Sequence, residues 1–447
     1  MGPVPSGQGR RTGCGGLFFS GMGDVMDVIR VAGRVRACLP SVAMVVLMAL
    51  SSAHAHDPAP DHAHRDGSTP ASRAQRLRLL TEGEAALRAG EVDKAQAAFD
   101  QAALMTHDAD TELGLLRTQM QAGAYRQALA FAAHTAGVHL DEPDGAVFYA
   151  WLLNWGGHVA LAEQTLQQAE RRMPDAVRGQ GAQTLHALRK QWAAGSMWPA
   201  AGEPVQPGAS SDTASHGLLR LFPYATGAVT PPAAVVCASA TLLADGRHAL
   251  VPLAAVDAPS GSEPSTHAIW LRNGLGHTVA ARVRQREADW GVALLSLDDP
   301  LPVPPRTVAP ARDAFAGSPV YALDAVAAPQ GQPAWPVMRA GFLGMAMASG
   351  AQRLGAELPG AGPRGGPAYD AGGRLIGMVR GALMGASSGD VLIPIGALRA
   401  RFGALAADPA GARFGPPDSA PRPAPMGADE VYERAMKTTL QVLALPR

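Results

Sequence analysis

The 447-residue sequence predicts an α+β multidomain chain: an all-α segment followed by an all-β one, behind an export signal. Three observations carry this expectation. Small residues and glycine recur at a fixed interval of 33 to 34 positions within residues 74 to 195. Beyond residue 217 the apolar period drops to two and the apolar runs shorten. Near the N-terminus a basic stretch precedes a short apolar run.

In chain order, Arg30, Arg34 and Arg36 lead into the apolar run Leu39 to Leu50, and Ser51-Ser52-Ala53-His54-Ala55 supplies a small-x-small cleavage pattern. The run is too short to span a bilayer. Residues 1 to 55 are therefore expected to be a signal peptide, with translation starting at Met22 or Met26, because nothing before those residues adds to the pattern. The mature chain would begin near His56, periplasmic or secreted, with no stable membrane span. Cys14 and Cys38 fall in the removed part, and Cys237 alone remains, so no internal disulfide is expected. Cys38 precedes the apolar run, which argues against a lipid-modified cysteine at the cleavage point.

Residues 56 to 73 hold Asp57, Asp61, His62, His64 and Asp66. Imidazole and carboxylate ligate metals, but no rigid element holds these side chains in place, and a disordered segment is expected instead. Basic and acidic residues number 38 each. That balance removes the electrostatic footprint of a nucleic-acid binder. No nucleotide loop, dinucleotide fingerprint or zinc-ligand pair is present, so no cofactor and no metal are expected.

Within residues 74 to 195, Gly90, Ala95, Phe99 and Ala102 are followed by Gly123, Ala128, Ala132 and Thr135, and then by Gly157, Ala162, Leu166 and Ala169. Glycine at a turn, alanine where two helices touch and a bulkier residue one turn on resemble the tetratricopeptide repeat. The resemblance implies stacked helix pairs that share a core and leave a concave face, free for a peptide or packed on a neighbouring domain. A spacer that binds nothing has the same pattern. Phe148, Tyr149, Trp151 and Trp155 read as core or as a binding face. Residues 180 to 195 read as a closing helix, and residues 196 to 216, rich in Pro, Gly and Ser, as a linker.

Strands are expected at Val235 to Leu243, Ala249 to Val256, His267 to Arg272, Val279 to Arg286, Val292 to Leu297, Val320 to Leu323, Met338 to Leu343, Ala368 to Tyr369, Leu375 to Val379 and Val391 to Ile395. Asp245-Gly246 and Asn273-Gly274 supply turns between neighbours. Many short strands without intervening helices argue for a closed or sandwiched domain over residues 217 to 408.

Four stretches, in order, resemble the trypsin-like serine proteases of the bacterial exported branch: "CASATLLADGRHALVPLAAV", "RNGLGHTVAARVRQREADWGVALLSLDDPLP", "GPRGGPAYDAGGRLIGMV" and "GDVLIPIGAL". The resemblance implies a chymotrypsin-like double barrel with its site between the two barrels. It also implies where a histidine, a carboxylate and a serine would stand, and this sequence has Ala254, Gly291 and Arg364 there. Acyl transfer of this kind needs a nucleophile, a base and a group that orients the base. A guanidinium stays protonated and can serve as none of them. Of nearby substitutes, His248 lies six residues before the histidine position, Asp289 lies two before the carboxylate position, and Ser387 and Ser388 belong to another loop. No catalytic residue is therefore assigned, and an inactive homologue is expected.

Two readings of Gly362-Pro363-Arg364-Gly365 remain open. In one, the glycines serve the backbone through positive φ and close approach, and Arg364 points to solvent. In the other, the N–H groups of Gly362 and Arg364 and the guanidinium favour a carboxylate, with Gly362, Arg364, Gly365 and Leu358 as peptide-binding candidates and Leu358 flooring an apolar pocket. Residues 409 to 426 read as a Pro-rich linker. Residues 427 to 447 read either as a closing amphipathic helix or as the helix and strand with which such proteases usually enter their first barrel. The expected function is a scaffold or adaptor that binds a protein or peptide partner. An active serine endopeptidase with a non-standard triad and a structural assembly subunit are the alternatives, and the oligomeric state is left open.

Overall fold

The structure, a computed structural model, describes residues 69–106, 108–140, 143–173, 225–256, 268–304, 309–310, 312–325, 333–359, 363–381, 389–403, 417–418 and 424–445. The expected signal peptide, the His/Asp-rich segment, the closing helix at 180–195, both linkers and Ser387–Ser388 lie outside these residues, apart from residues 69–73, 417–418 and 424–426. Ser68–Arg447 form one compact unit.

Its N-terminal part is a run of helices: α1 (Pro70–Arg88), α2 (Val92–Ala103), α3 (Ala109–Gln121), α4 (Tyr125–Val138), α5 (Pro143–Trp155) and α6 (Val159–Arg172). Local signals set their ends. Thr69 caps α1 by accepting from Ser72 N at 3.2 Å, with Pro70 at the first helical position. Asp108 caps α3 by accepting from Thr111 N at 3.1 Å. The turns inside the three helix pairs close on Gly90, Gly123 and Gly157 at φ +75°, +76° and +91°, the left-handed conformation that glycine adopts without a Cβ penalty.

Each helix packs on the next in sequence. The positions that repeat in the sequence are the positions of contact: Ala95, Ala128 and Ala162 are fully buried, as are Ala102, Ala132, Thr135 and Leu166. Phe99 wedges between α1 and α3, where a Cβ on Gly83 would lie 2.7 Å from its ring and one on Gly114 2.4 Å. Glu84 and Arg117 form a buried ion pair between the same two helices.

The C-terminal part contains two six-stranded barrels. In the first, β2 (Val235–Leu242), β3 (His248–Pro252), β4 (Ile269–Asn273), β5 (His277–Glu287), β6 (Val292–Leu297) and β15 (Thr439–Ala444) pair in the order β5-β4-β15-β2-β3-β6, and β5 pairs back onto β6. The short β1 (Thr226–Gly227) adds to β5 in parallel. In the second barrel, β8 (Pro319–Ala325), β9 (Pro336–Ala346), β10 (Gln352–Gly355), β11 (Pro367–Tyr369), β12 (Leu375–Arg380) and β13 (Val391–Pro394) close in the order β10-β13-β12-β11-β8-β9. A short helix, α7 (Leu253–Val256), follows β3, and α8 (Ile395–Phe402) follows β13. The two-residue strands β7 (Ala309–Pro310) and β14 (Pro417–Asp418) pair with each other.

Strand ends differ from the expected ones in instructive ways. The run expected from Ala249 to Val256 breaks after Pro252, and the chain turns into α7 as Leu253 N bonds Gly291 O at 2.8 Å. Strand β10 has an alternation too short to stand out in sequence.

The C-terminal segment, left open in sequence, is helix α9 (Ala428–Ala435) and then β15. Strand β15 sits inside the first barrel between β2 and β4, with Leu440 opposite Ala240 on one side and Asn273 on the other. Leu440 and Val442 join Leu242, Leu271 and Leu295 in the barrel core. The last strand in sequence is thus a central strand of the first barrel.

The helices and barrels share one apolar core, in which Met120, Tyr125, Phe148 and Trp151 meet Leu275, Trp335, Met338 and Tyr432. Trp151 packs on Trp335 with ring centroids 4.8 Å apart, and Tyr125 meets Tyr432 edge-on at 4.5 Å. Gln121 donates to Leu275 O at 2.6 Å, and Arg339 Nη1 donates to Asn154 O at 2.7 Å. Phe148, Trp151 and Trp155 are fully buried and Tyr149 half-buried, so the aromatic set is core. The array's turn edge, at Gly123 and Gly157, packs against Leu275, Lys437 and Met338.

Candidate functional site

The loop 363–366 crosses the seam between the barrels and is bonded to β2 of the first. Gly365 N donates to Ser239 Oγ at 2.9 Å, and Thr241 Oγ1 donates to Gly365 O at 2.7 Å. A Cβ on Gly365 would lie 2.5 Å from Ser239 O and 2.6 Å from Pro252 Cδ, and one on Gly366 would lie 2.0 Å from Leu323 O. Close backbone approach therefore requires both glycines. The positive φ expected of them is not the reason, since neither is among the positive-φ glycines of the described residues.

Residues next to the three positions marked by the sequence are in contact here. Ala254 lies on α7, whose first residue Leu253 is bonded to Gly291, while Pro252 touches Gly365 beside Arg364. Ala254 is exposed. Gly291 has φ +62° in the turn between β5 and β6, a conformation that disfavours an L side chain there, with open space around it.

His248 Nδ1 lies 2.6 Å from Asp245 Oδ2 within the β2–β3 turn, and in the ladder His248 faces Ser296. Asp289 is exposed. Gly362, Ser387 and Ser388 lie outside the described residues.

Arg364 departs from both readings of the loop. It is 8% exposed, and its guanidinium turns inward. Nη1 lies 2.6 Å from Asp324 Oδ2 and 3.2 Å from Pro359 O; Nη2 lies 3.1 Å from Leu358 O; Nε lies 3.1 Å from Asp390 Oδ2. A guanidinium engaged in this way neither points to solvent nor waits for a carboxylate from outside. Asp324 also accepts a hydrogen bond from Ser239. Burial pushes its carboxyl from 3.8 up to about 6, against the opposing pull of Arg364, so it is ionised at neutral pH.

Leu358 differs from expectation too. Its side chain packs in the second-barrel core with Val320, Ala356 and Ile376, and the space beside its carbonyl is polar because Arg364 fills it. Sequence reasoning missed Ser239, Asp324 and Asp390. Asp324 carried a readable signal: it is a carboxylate inside the apolar run Val320 to Val326, where an unpaired charge would be costly.

Among the described residues no group of three His, Cys, Asp or Glu side chains is arranged to hold a metal ion. No helix among them is long and apolar enough to cross a membrane. A cavity of about 130 Å³ lies in the helical array between α4, α5 and α6, with His139, Tyr149, Gln168 and Arg172 among its lining residues.

No family model matches the chain, and no curated protein matches it in sequence. Solved structures similar to it include the MamO protease domain from Magnetospirillum magneticum, at 19% identity and a TM-score of 0.28, covering 38% of this chain and 96% of that one. The HtrA-type protease AlgW with a decapeptide is similar at 18% identity and a TM-score of 0.29, covering 37% of this chain and 50% of that one. The Rv3671c protease from M. tuberculosis in its active form is similar at 17% identity and a TM-score of 0.28, covering 44% of this chain and 84% of that one. Likenesses this distant fix neither the site nor the activity.

Proposed function

We propose that this chain is an exported, catalytically inactive homologue of the trypsin-like serine proteases, with tetratricopeptide-like helices, that acts as a peptide- or protein-binding scaffold or adaptor. One observation carries the proposal: where the nucleophile would stand, Arg364 turns into the second barrel and is bonded by Asp324 and Asp390. Hydrolysis by this route needs a hydroxyl that a base can deprotonate, and a buried, paired guanidinium offers neither a hydroxyl nor a site for the base. The two barrels, the sequence motifs and the contacts of Leu253 with Gly291 and of Pro252 with Gly365 support the trypsin-like reading. The spacing of Gly90, Gly123 and Gly157 supports the tetratricopeptide-like one. The turn edge of the array already rests on the barrels, so a partner would be held elsewhere on the helices.

The test uses the secreted chain, purified and incubated with a fluorogenic peptide library and a serine-directed phosphonate. The expected result is no turnover and no label, with saturable binding to members of an arrayed peptide set. A labelled serine establishes the non-standard protease instead. A stable oligomer that binds no peptide establishes an assembly subunit.

A further inference from the structure

We propose that the end of the second barrel is a receptor for one guanidinium group, and that Arg364 of the chain itself is its resident ligand. The observation is the convergence of four oxygens from three places in the chain on a single planar cation. Asp324 is near the end of β8, Asp390 immediately precedes β13, and Leu358 and Pro359 offer carbonyls from the segment after β10. All three guanidinium nitrogens are engaged, each along its own direction, which is the pattern of a fork and not of a point charge. An ammonium on a lysine stem presents its donors from one atom and cannot reproduce it.

Asp324 is held independently of the arginine side chain. Ser239 donates to Asp324 while accepting from Gly365 N, and Thr241 fixes Gly365 O. Shortening residue 364 therefore leaves two carboxylates and two carbonyls around a vacated, desolvated space, and such a lining requires a cation. The ligand class is a small planar cation that donates along several in-plane directions: guanidinium, an alkylguanidinium or an amidinium. In the unaltered chain the site is closed from within, so no arginine of another polypeptide can enter it. This holds whether or not the chain cleaves peptides, and its test does not measure cleavage.

Arg364→Ala is compared with the unaltered chain at pH 8, where Asp324 is ionised. Thermal melts are recorded with millimolar guanidinium, methylguanidinium or benzamidine, and with matched sodium chloride and urea. The expected result is a saturable rise of about 2–4 °C for the planar cations on Arg364→Ala alone. No rise beyond sodium chloride, or an equal rise for the unaltered chain, overturns the proposal. If Arg364→Ala does not fold, the unaltered chain decides. Its Arg364 Nε–H signal, assigned by loss in Arg364→Lys, should exchange slowly with water and show hindered rotation of the guanidinium. Exchange at the rate of an exposed arginine overturns the proposal.

Discussion

His158 Nε2 and Asp429 Oδ1 lie 2.5 Å apart, joining the residue before α6 to the first turn of α9. The contact ties the helical array to the segment that supplies the last strand of the first barrel. Arg126 makes a second tie from the start of α4: its N–H donates to Glu433 Oε2 at 2.9 Å. Because α9 leads into β15 after three residues, these contacts connect the array to the interior of a barrel.

The His158 pair predicts a pH dependence. The bond to Asp429 raises the imidazole above its ordinary 6.5, with burial acting against it. Its contribution to stability is full below pH 6.5 and is lost as pH rises through the raised value. Both side chains are about one third exposed, so screening keeps the effect small. Tyr149 also faces Asp429, but titrates above its ordinary value and stays neutral over this range. Thermal midpoints of the unaltered chain should fall across that interval, and His158→Gln should remove the step; an unchanged step assigns it to another group.

Asp324 predicts a separate dependence at lower pH. Its carboxyl is raised from 3.8 to about 6, so its contribution is full below pH 3.8 and is lost as pH rises through about 6. Asp324→Asn should flatten that slope in urea-unfolding midpoints and be no less stable than the unaltered chain at pH 7. Arg364→Ala should do the opposite and cost about 3–5 kcal/mol at pH 7, because two buried carboxylates lose their shared cation. That loss should shrink as Asp324 takes up its proton.

Gly365→Ala tests the close approach of the barrels. Its Cβ would lie 2.5 Å from the Ser239 carbonyl, and backbone there cannot yield cheaply. A destabilisation of about 1–3 kcal/mol is expected in urea unfolding. A neutral substitution would mean that the seam is looser than described.

The place of β15 predicts that removing residues 428–447 prevents the first barrel from closing, since β2 and β4 lose the strand between them. The truncated chain should expose β2 and β4 as unpaired edges and aggregate. A peptide of residues 428–447 added during refolding should restore solubility and the native circular-dichroism spectrum. Native-like unfolding of the truncated chain without the peptide would show that β15 is dispensable.

Much of the architecture was legible in the chain. The glycine interval marked the helix-pair turns, the change of period marked the barrel strands, and the Gly-Gly-Pro motif marked the seam. The site was legible only as a set of positions. Nothing near Arg364 in sequence indicated that its partners are Asp324 and Asp390, 40 and 26 residues away. The alternating run at 439–444 was equally ambiguous, because a strand and one face of a helix bury the same few apolar residues over so short a span.

Backbone conformation and the period of burial are short-range properties, set by neighbours within a turn or a pleat, and residue order alone carries them. Charge pairing and strand order are different. They depend on which distant segments the collapsed core brings within a few ångströms, where desolvation makes every unmatched polar group expensive. Folding was needed to turn Arg364 inward onto two carboxylates and to seat the end of the chain in the middle of a barrel.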